Sequence, residues 1–373
     1  MFESRKNCVY CDGKNHTNIC KIEKMPIFMG SIEKPEDYLF SDMTFISCDN
    51  CNSIFLREII DPNILYKNNH NRVIVGETWK NHYTEFVNFI GDVDGKNIIE
   101  IGDPSLKVAK FLLNNCGSYS IIEPNPDIDN EKVNVINQYF DENFETNLKY
   151  DLVINSHFME HVFNPIKSLI KMNQILDKNG ELIFSVPNLQ YLLENNFYIN
   201  NILQFEHTYF YSTESMSNLL NRCGFELVEV NNYLNHSIFY KCVKSDKISD
   251  FEYFENKKYK KKFLDIWSDS KNKIKLINEM ISLHPNNNIY LFGCHVSSQF
   301  LLSNGLFINR VKNILDNSID KNGKYLYGYH LKTESPDAII GVETPIIICS
   351  HMSVYFDEIK NQLLKINKKS III

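Results

Sequence analysis

From Asn97 to Pro187 the chain alternates short apolar runs with amphipathic stretches, and this limits the possible folds more than any other feature. NIIEI, YSIIEP, KVNVI, YDLVINS and ELIFSVP are too short for helices of the usual length, and their apolar residues are nearly continuous. Strands buried on both faces of a sheet have that composition. Between them, LKVAKFLL and PIKSLIKMNQIL have helical spacing, the second ending at a Lys178-Asn179-Gly180 stop. Parallel strands need long crossovers, which helices supply. The expectation is a doubly wound, Rossmann-like α/β core.

The flanks extend this pattern. Trp79, Tyr83, Phe86, Val87 and Ile90 set a helix over residues 73–90 that Gly91 stops, and TESMSNLLNRC reads as a helix capped by Thr213 with Gly224 beyond its end. FELVEVNNY is a further strand. Phe263, Ile266, Trp267, Ser270, Ile274, Ile277 and Ile281 then recur at helical steps on one face of a long helix, which breaks at Leu283-His284-Pro285-Asn286. NIYLFG, CHVSSQFLL, VKNILD, TPIIICS, VYFDEIKNQLLKI and SIII restart the alternation as a second, smaller α/β unit. The expected division is a small module over 1–65, the main α/β domain over 66–240, a helical linker over 241–285 and a C-terminal α/β domain over 286–373.

Lys and Arg number 39 against 46 Asp and Glu, a net charge of −7 over 373 residues, so no general basic field exists for a nucleic-acid backbone. The lysines at 257–262 read as a solvated helix face. The first residues lack the apolar core of a signal peptide, and no run approaches the ~18 apolar residues of a membrane span. A soluble cytoplasmic protein, monomeric and without membrane or nucleic-acid partners, is expected. Ten cysteines in such a compartment suggest thiols or a metal site. Cys8-Val-Tyr-Cys11 and Cys48-Asp-Asn-Cys51 are two CxxC knuckles able to close a tetrahedron around structural zinc. His16 and Cys20 are read as free surface residues rather than ligands.

The first core strand ends in Glu100 and leads through Gly102 and Asp103 into a loop with few glycines, whereas the second ends in Glu123. An acid at that second position can accept hydrogen bonds from both ribose hydroxyls of an adenosine-containing cofactor. With YDLVINSHFMEHVFNP and GELIFSVPN following in order, the chain resembles class I S-adenosylmethionine-dependent methyltransferases. That cofactor carries no phosphate, so its loop needs no nest of glycine amides.

The segment LQFEHTYFYSTESMSNLLNRCGFELVEV narrows the resemblance to sugar C-methyltransferases, which methylate carbon 3 of nucleotide-linked 4-keto deoxysugars. That family also carries an N-terminal zinc module and a C-terminal α/β domain, matched here by the paired CxxC motifs and by ILDNSIDKNGKYLYG, in which Tyr327 stands where the family has proline. The resemblance implies His207 as general base, Glu206 as its orienting neighbour and His161 as a donor to the keto oxygen. It implies cofactor contacts at Glu100, Gly102, Asp103, Glu123, Asn137 and Gln138, and substrate contacts at Phe205, His82, Asp316, Lys321 and Tyr325. Phe205 replaces a tyrosine of the family pattern, and Asn69, Asn71, Arg72 and Val73 stand where it has tyrosines and serines. Methylation at oxygen or nitrogen of a sugar, and a non-catalytic scaffold with a degenerate cofactor loop, are the alternatives.

Overall fold

The computed structural model describes residues 2–35, 38–66, 77–250, 257–349 and 356–373. Asn69, Asn71, Arg72 and Val73, and the start of the helix expected from residue 73, lie outside them. At the N-terminus, β1 (His16–Pro26), β2 (Phe40–Cys48) and β3 (Ile54–Leu56) form an antiparallel three-stranded sheet. At Asp61-Pro62 the Asp61 carboxylate accepts the Asn63 amide at the head of a single helical turn.

The helix α1 (Glu77–Ile90) leads into a seven-stranded sheet built from β4 (Asn97–Ile101), β5 (Ser118–Ile122), β6 (Val133–Ile136), β7 (Tyr150–Ser156), β8 (Leu176–Pro187), β9 (Phe225–Tyr233) and β10 (Ser237–Lys244). The spatial order is β9-β10-β8-β7-β4-β5-β6. The strands from β8 to β6 pair in parallel, while β10 runs antiparallel to both its neighbours. The chain turns one way from β4 through β5 to β6 and the other way through β7 to β8, so the order reverses between β4 and β7. In such sheets ligands bind beyond the carboxyl ends at the reversal. The doubly wound expectation is met.

Local chemistry moves some boundaries. LKVAKFLL yields only one turn, Ala109–Leu112, because Leu106 is left-handed (φ +59) and the Asp103 carboxylate takes the amides of Ser105, Lys107 and Val108. Asn164 caps α2 (Pro165–Ile175), with proline at its first position. β8 begins at Leu176 and takes in the Lys178-Asn179-Gly180 stop. Ser212, not Thr213, caps α3 (Thr213–Arg222), because its hydroxyl and that of Ser215 exchange bonds with each other's backbone amides as a capping box.

The long helix α4 (Lys257–Leu283) buries Phe263, Ile266, Ser270, Ile274 and Ile281 of its expected face, with Trp267 and Ile277 half-buried at the margin. Beyond it, β11 (Ile289–Phe292), α5 (Val296–Ser303), β12 (Val311–Leu315), β13 (Thr333–Glu334), β14 (Ile346–Cys349), α6 (Phe356–Ile366) and β15 (Ile371–Ile372) build a parallel sheet ordered β13-β12-β11-β14-β15. Among the described residues, no helix is long and apolar enough to cross a membrane.

The N-terminal module is stitched to the core. After β8 the chain passes along β3, where Leu56 donates to Thr208 O (2.8 Å) and Phe210 donates to Ile54 O (2.9 Å). Tyr10 Oη bonds Phe210 O at 2.9 Å, the Arg222 guanidinium bonds Tyr10 O, and Tyr209 Oη bonds Met159 O at 2.6 Å. Cys20, expected at the surface, is instead buried within β1 because its strand position faces the module's core. Tyr209→Phe should remove a buried hydrogen bond without changing shape, leaving the Met159 carbonyl only the long Val162 amide bond at 3.4 Å. Urea unfolding should then show a loss of about 0.5–1.5 kcal/mol with an unchanged slope.

Candidate active site and cysteine cluster

Beyond the carboxyl ends of β4, β5 and β7 lies a cavity of about 850 Å³, within the size range of cofactor and substrate sites. Gly102 and Glu123 line the sheet side. Gly102 has φ +83, and a Cβ there would come within 3.0 Å of the Phe158 ring, so both the backbone conformation and the packing of Phe158 favour glycine here. The lining also includes Arg5, Tyr66, His157 and His161, so residues near the N-terminus and the core share the cleft.

Glu100 and Asp103 lie beneath this floor. Glu100 is 1% exposed and accepts Tyr119 Oη at 2.7 Å; burial, with Asp103 nearby, pushes its pKa well above the usual carboxylate range. Asp103 bonds its own loop's amides and shapes the loop from behind, whereas the Glu100 carboxylate is tied to the neighbouring strand through Tyr119. Glu123 borders the cavity, its carboxylate accepting the Asn125 amide at 3.0 Å. Asn137 and Gln138 are exposed just past β6. Their neighbours Tyr139 and Phe140 line the cavity.

The other wall is a chain of imidazoles and carboxylates. His161 Nδ1 lies 3.1 Å from Tyr66 Oη, and its ring meets that of His207 edge-on at 4.8 Å between centroids. His207 stands behind His161 on the segment stitched to β3, its Nδ1 3.4 Å from Gln204 Nε2. Glu160, 1% exposed, has an oxygen 3.1 Å from His157 Nδ1 and 3.9 Å from His161 Nε2. Burial raises Glu160 to about 7, partly offset by His161, and burial raises Glu206 to about 7. The same desolvation lowers His161 and takes His207 well below its ordinary value, with His161 beside His207 adding repulsion. These rings are weak bases at rest.

Of the expected substrate residues, Phe205 is buried in the core, and His82 is fully buried among His157, His236 and Trp79. Asp316 and Lys321 come together at the carboxyl end of β12. There Asp316 accepts the Cys294 amide at 2.8 Å and the Lys321 ammonium at 3.1 Å. Tyr325 lies apart from them, paired with Ile32 of the N-terminal module. The four cysteines Cys8, Cys11, Cys48 and Cys51 converge, all Sγ atoms lying within 4.8 Å of one another. Two of the Sγ pairs are 3.6 Å apart, close to the ~3.7 Å expected of thiolates sharing a tetrahedral zinc. A Cβ at Gly13 would press within 3.2–3.3 Å of two of these sulfurs, so a side chain there would crowd the knuckle. His16 stays outside, bonded to Gly13 O.

Sequence reasoning missed Arg5, Tyr66, Tyr139, Glu160, His157 and His236. His157 and Glu160 stood in the phrase SHFMEH beside the nominated His161, so their spacing was available. Arg5, Tyr66 and His236 lacked any local signal.

Residues 77–230, which include most of the seven-stranded unit, match the family described as a methyltransferase domain. No curated protein matches the sequence. Similar solved structures include the N-methyltransferase NodS from Bradyrhizobium japonicum WM9 with S-adenosyl-L-homocysteine, 12% identical over 48% of this chain and 92% of that chain, at a TM-score of 0.36. Another is magnesium protoporphyrin IX methyltransferase (ChlM) from Synechocystis PCC 6803, 13% identical over 45% of this chain and 84% of that chain, also at 0.36. Similarity of this degree carries no argument about substrate.

Burial lowers His82 to about 2, His157 to about 3 and His236 to about 4, so all three should stay neutral well below the ordinary histidine range. In an NMR titration from about pH 8 to pH 5, their ring-proton shifts should stay fixed, since protonation needs a pH below the lowered values. Midpoints near 6.5 for these rings would contradict the described burial.

Proposed function

We propose that this protein is an S-adenosylmethionine-dependent methyltransferase that methylates a carbon of a nucleotide-linked 4-keto deoxysugar through an enolate. The observation that supports this reading is the shared cleft, whose lining at the sheet's reversal point includes Gly102, Glu123 and His161, with His207 packed against the His161 ring outside the lining. S-adenosylmethionine, when bound, supplies an electrophilic methyl group. Gly102 admits it close to the backbone, Glu123 accepts from the ribose hydroxyls, and Asn137 and Gln138 lie at the adenine end. Asp103 contributes by holding the loop, and Glu100 by tying the strand that carries it to Tyr119.

In this reading His207 removes the proton alpha to the ketone, Glu206 orients it, and His161 donates toward the keto oxygen as charge develops. His161 lines the cavity whereas His207 packs behind it on a hydrogen-bonded segment, so in this reading the substrate must displace the His161 ring for His207 to reach it. Phe205 and His82 support this wall from within. Asp316, Lys321 and Tyr325 of the C-terminal unit are assigned to the nucleotide. Cys8, Cys11, Cys48 and Cys51 hold a structural zinc that fixes Arg5 and Tyr10 against the core; their spacing and donor type fit that ion.

The test supplies nucleotide-linked 4-keto sugars with methyl-labelled cofactor in heavy water. Wild-type protein should transfer the label to carbon and exchange the alpha proton, while His207→Ala should lose about 100- to 10,000-fold in both and still bind the cofactor. Exchange persisting in His207→Ala but lost in His161→Ala would make His161 the base. Label transferred to oxygen or nitrogen without exchange would remove carbon methylation from the account.

A further inference from the structure

A second histidine cluster lies deeper than the cleft wall, on three separate elements. His82 comes from α1, His157 follows β7, and His236 sits in the turn between β9 and β10. One nitrogen from each ring lies within 4.8 Å of the others, and the ring centroids are 5.1, 5.5 and 5.6 Å apart. Three imidazoles on one tetrahedral zinc, with bonds of about 2.0–2.1 Å, put their centroids about 5 Å apart. The rings already stand at that separation.

The surroundings match a metal site in three further respects. The backbone of His157 is left-handed (φ +54), an uncommon conformation that turns its ring back toward the sheet end. Its Nδ1 lies 3.1 Å from the buried Glu160 carboxylate, the outer partner that metal-bound histidines usually keep, which leaves Nε2 for an inner partner. That Nε2 is 2.8 Å from Ser237 Oγ, which is also 2.6 Å from His236 Nδ1, so a single hydroxyl bridges two imidazole nitrogens. His82 is 0% exposed, and its Nδ1 has no hydrogen-bond partner among the described residues. Trp79 covers all three rings at 4.5–5.3 Å and supplies an apolar shell.

We propose that His82, His157 and His236 form a site for a divalent transition-metal cation of the zinc type, distinct from the cysteine cluster. Three neutral nitrogen donors suit zinc, cobalt, nickel or copper rather than magnesium or calcium. The ion ties α1 to the carboxyl ends of β7 and the β9–β10 hairpin, and through Glu160 it touches the wall that carries His161. Ser237 or water takes the fourth position.

The test titrates Co²⁺ into protein whose cysteine site already holds zinc, followed by calorimetry and visible absorption. Wild-type protein should bind about one further equivalent, with ligand-field bands and no thiolate charge transfer, since the donors are nitrogen. His236→Ala should lose that equivalent while keeping its zinc and its far-UV circular dichroism. Trp267→Phe provides a check that leaves the histidines intact, because Trp79 is then the sole tryptophan of the chain. Its emission should be quenched in step with Co²⁺ uptake. No uptake beyond the cysteine-held metal, unquenched Trp79 emission, or equal uptake by a folded His236→Ala variant would overturn the proposal.

Discussion

The backbone pairing between Ile54–Leu56 and Thr208–Phe210 is the constraint on which the rest of the cleft depends. The segment after β8 has no place in the main sheet, and an unpaired extended chain at this depth would leave its amides and carbonyls unsatisfied. β3 supplies the missing partners. It thereby fixes Phe205, Glu206 and His207 just upstream, while Tyr209 reaches Met159 O and locks the same segment to the turn that carries Glu160 and His161. The N-terminal module is therefore part of the cleft. Arg5 shows the same coupling, since it donates to Phe163 O at 2.9 Å and Thr208 Oγ1 at 3.1 Å and also lines the cavity.

Desolvation dominates the electrostatics of the cleft wall. Burial moves carboxyls up and imidazoles down together, so Glu160 and Glu206 reach about 7 while the neighbouring rings fall below their ordinary values. Near neutrality the imidazoles of this wall are therefore held neutral and the wall carries little fixed charge. A developing negative charge on a ligand would reverse part of the histidine shift, because an adjacent anion favours imidazolium. Base strength at such a wall rises when the ligand arrives.

Much of the architecture was legible because it rests on local periodicity. The runs NIIEI, YSIIEP and ELIFSVP became β4, β5 and β8, and the face of α4 followed its three- and four-residue steps. The four cysteines converge because CxxC is itself a local geometric device. What could not be read depended on tertiary choices. The short turn where a helix was expected follows from Leu106 turning left-handed and Asp103 capturing the loop amides. Cys20 is buried because it shares the inner face of β1 with Ile22, Lys21 pointing out between them. His236 and Arg5 reach functional surroundings only through hairpin and module packing, and no spacing in the sequence encodes either.

The central claim is that the floor at Gly102 and Glu123 and the roof from the N-terminal module enclose one ligand site. Hydrogen–deuterium exchange with and without S-adenosylmethionine measures this most directly. The account predicts slower exchange in peptides covering 101–108 and 122–126, together with 5–12 of the module, and little change in the C-terminal sheet. Unchanged exchange in the first two peptides at saturating cofactor, or protection confined to the C-terminal sheet, would contradict it.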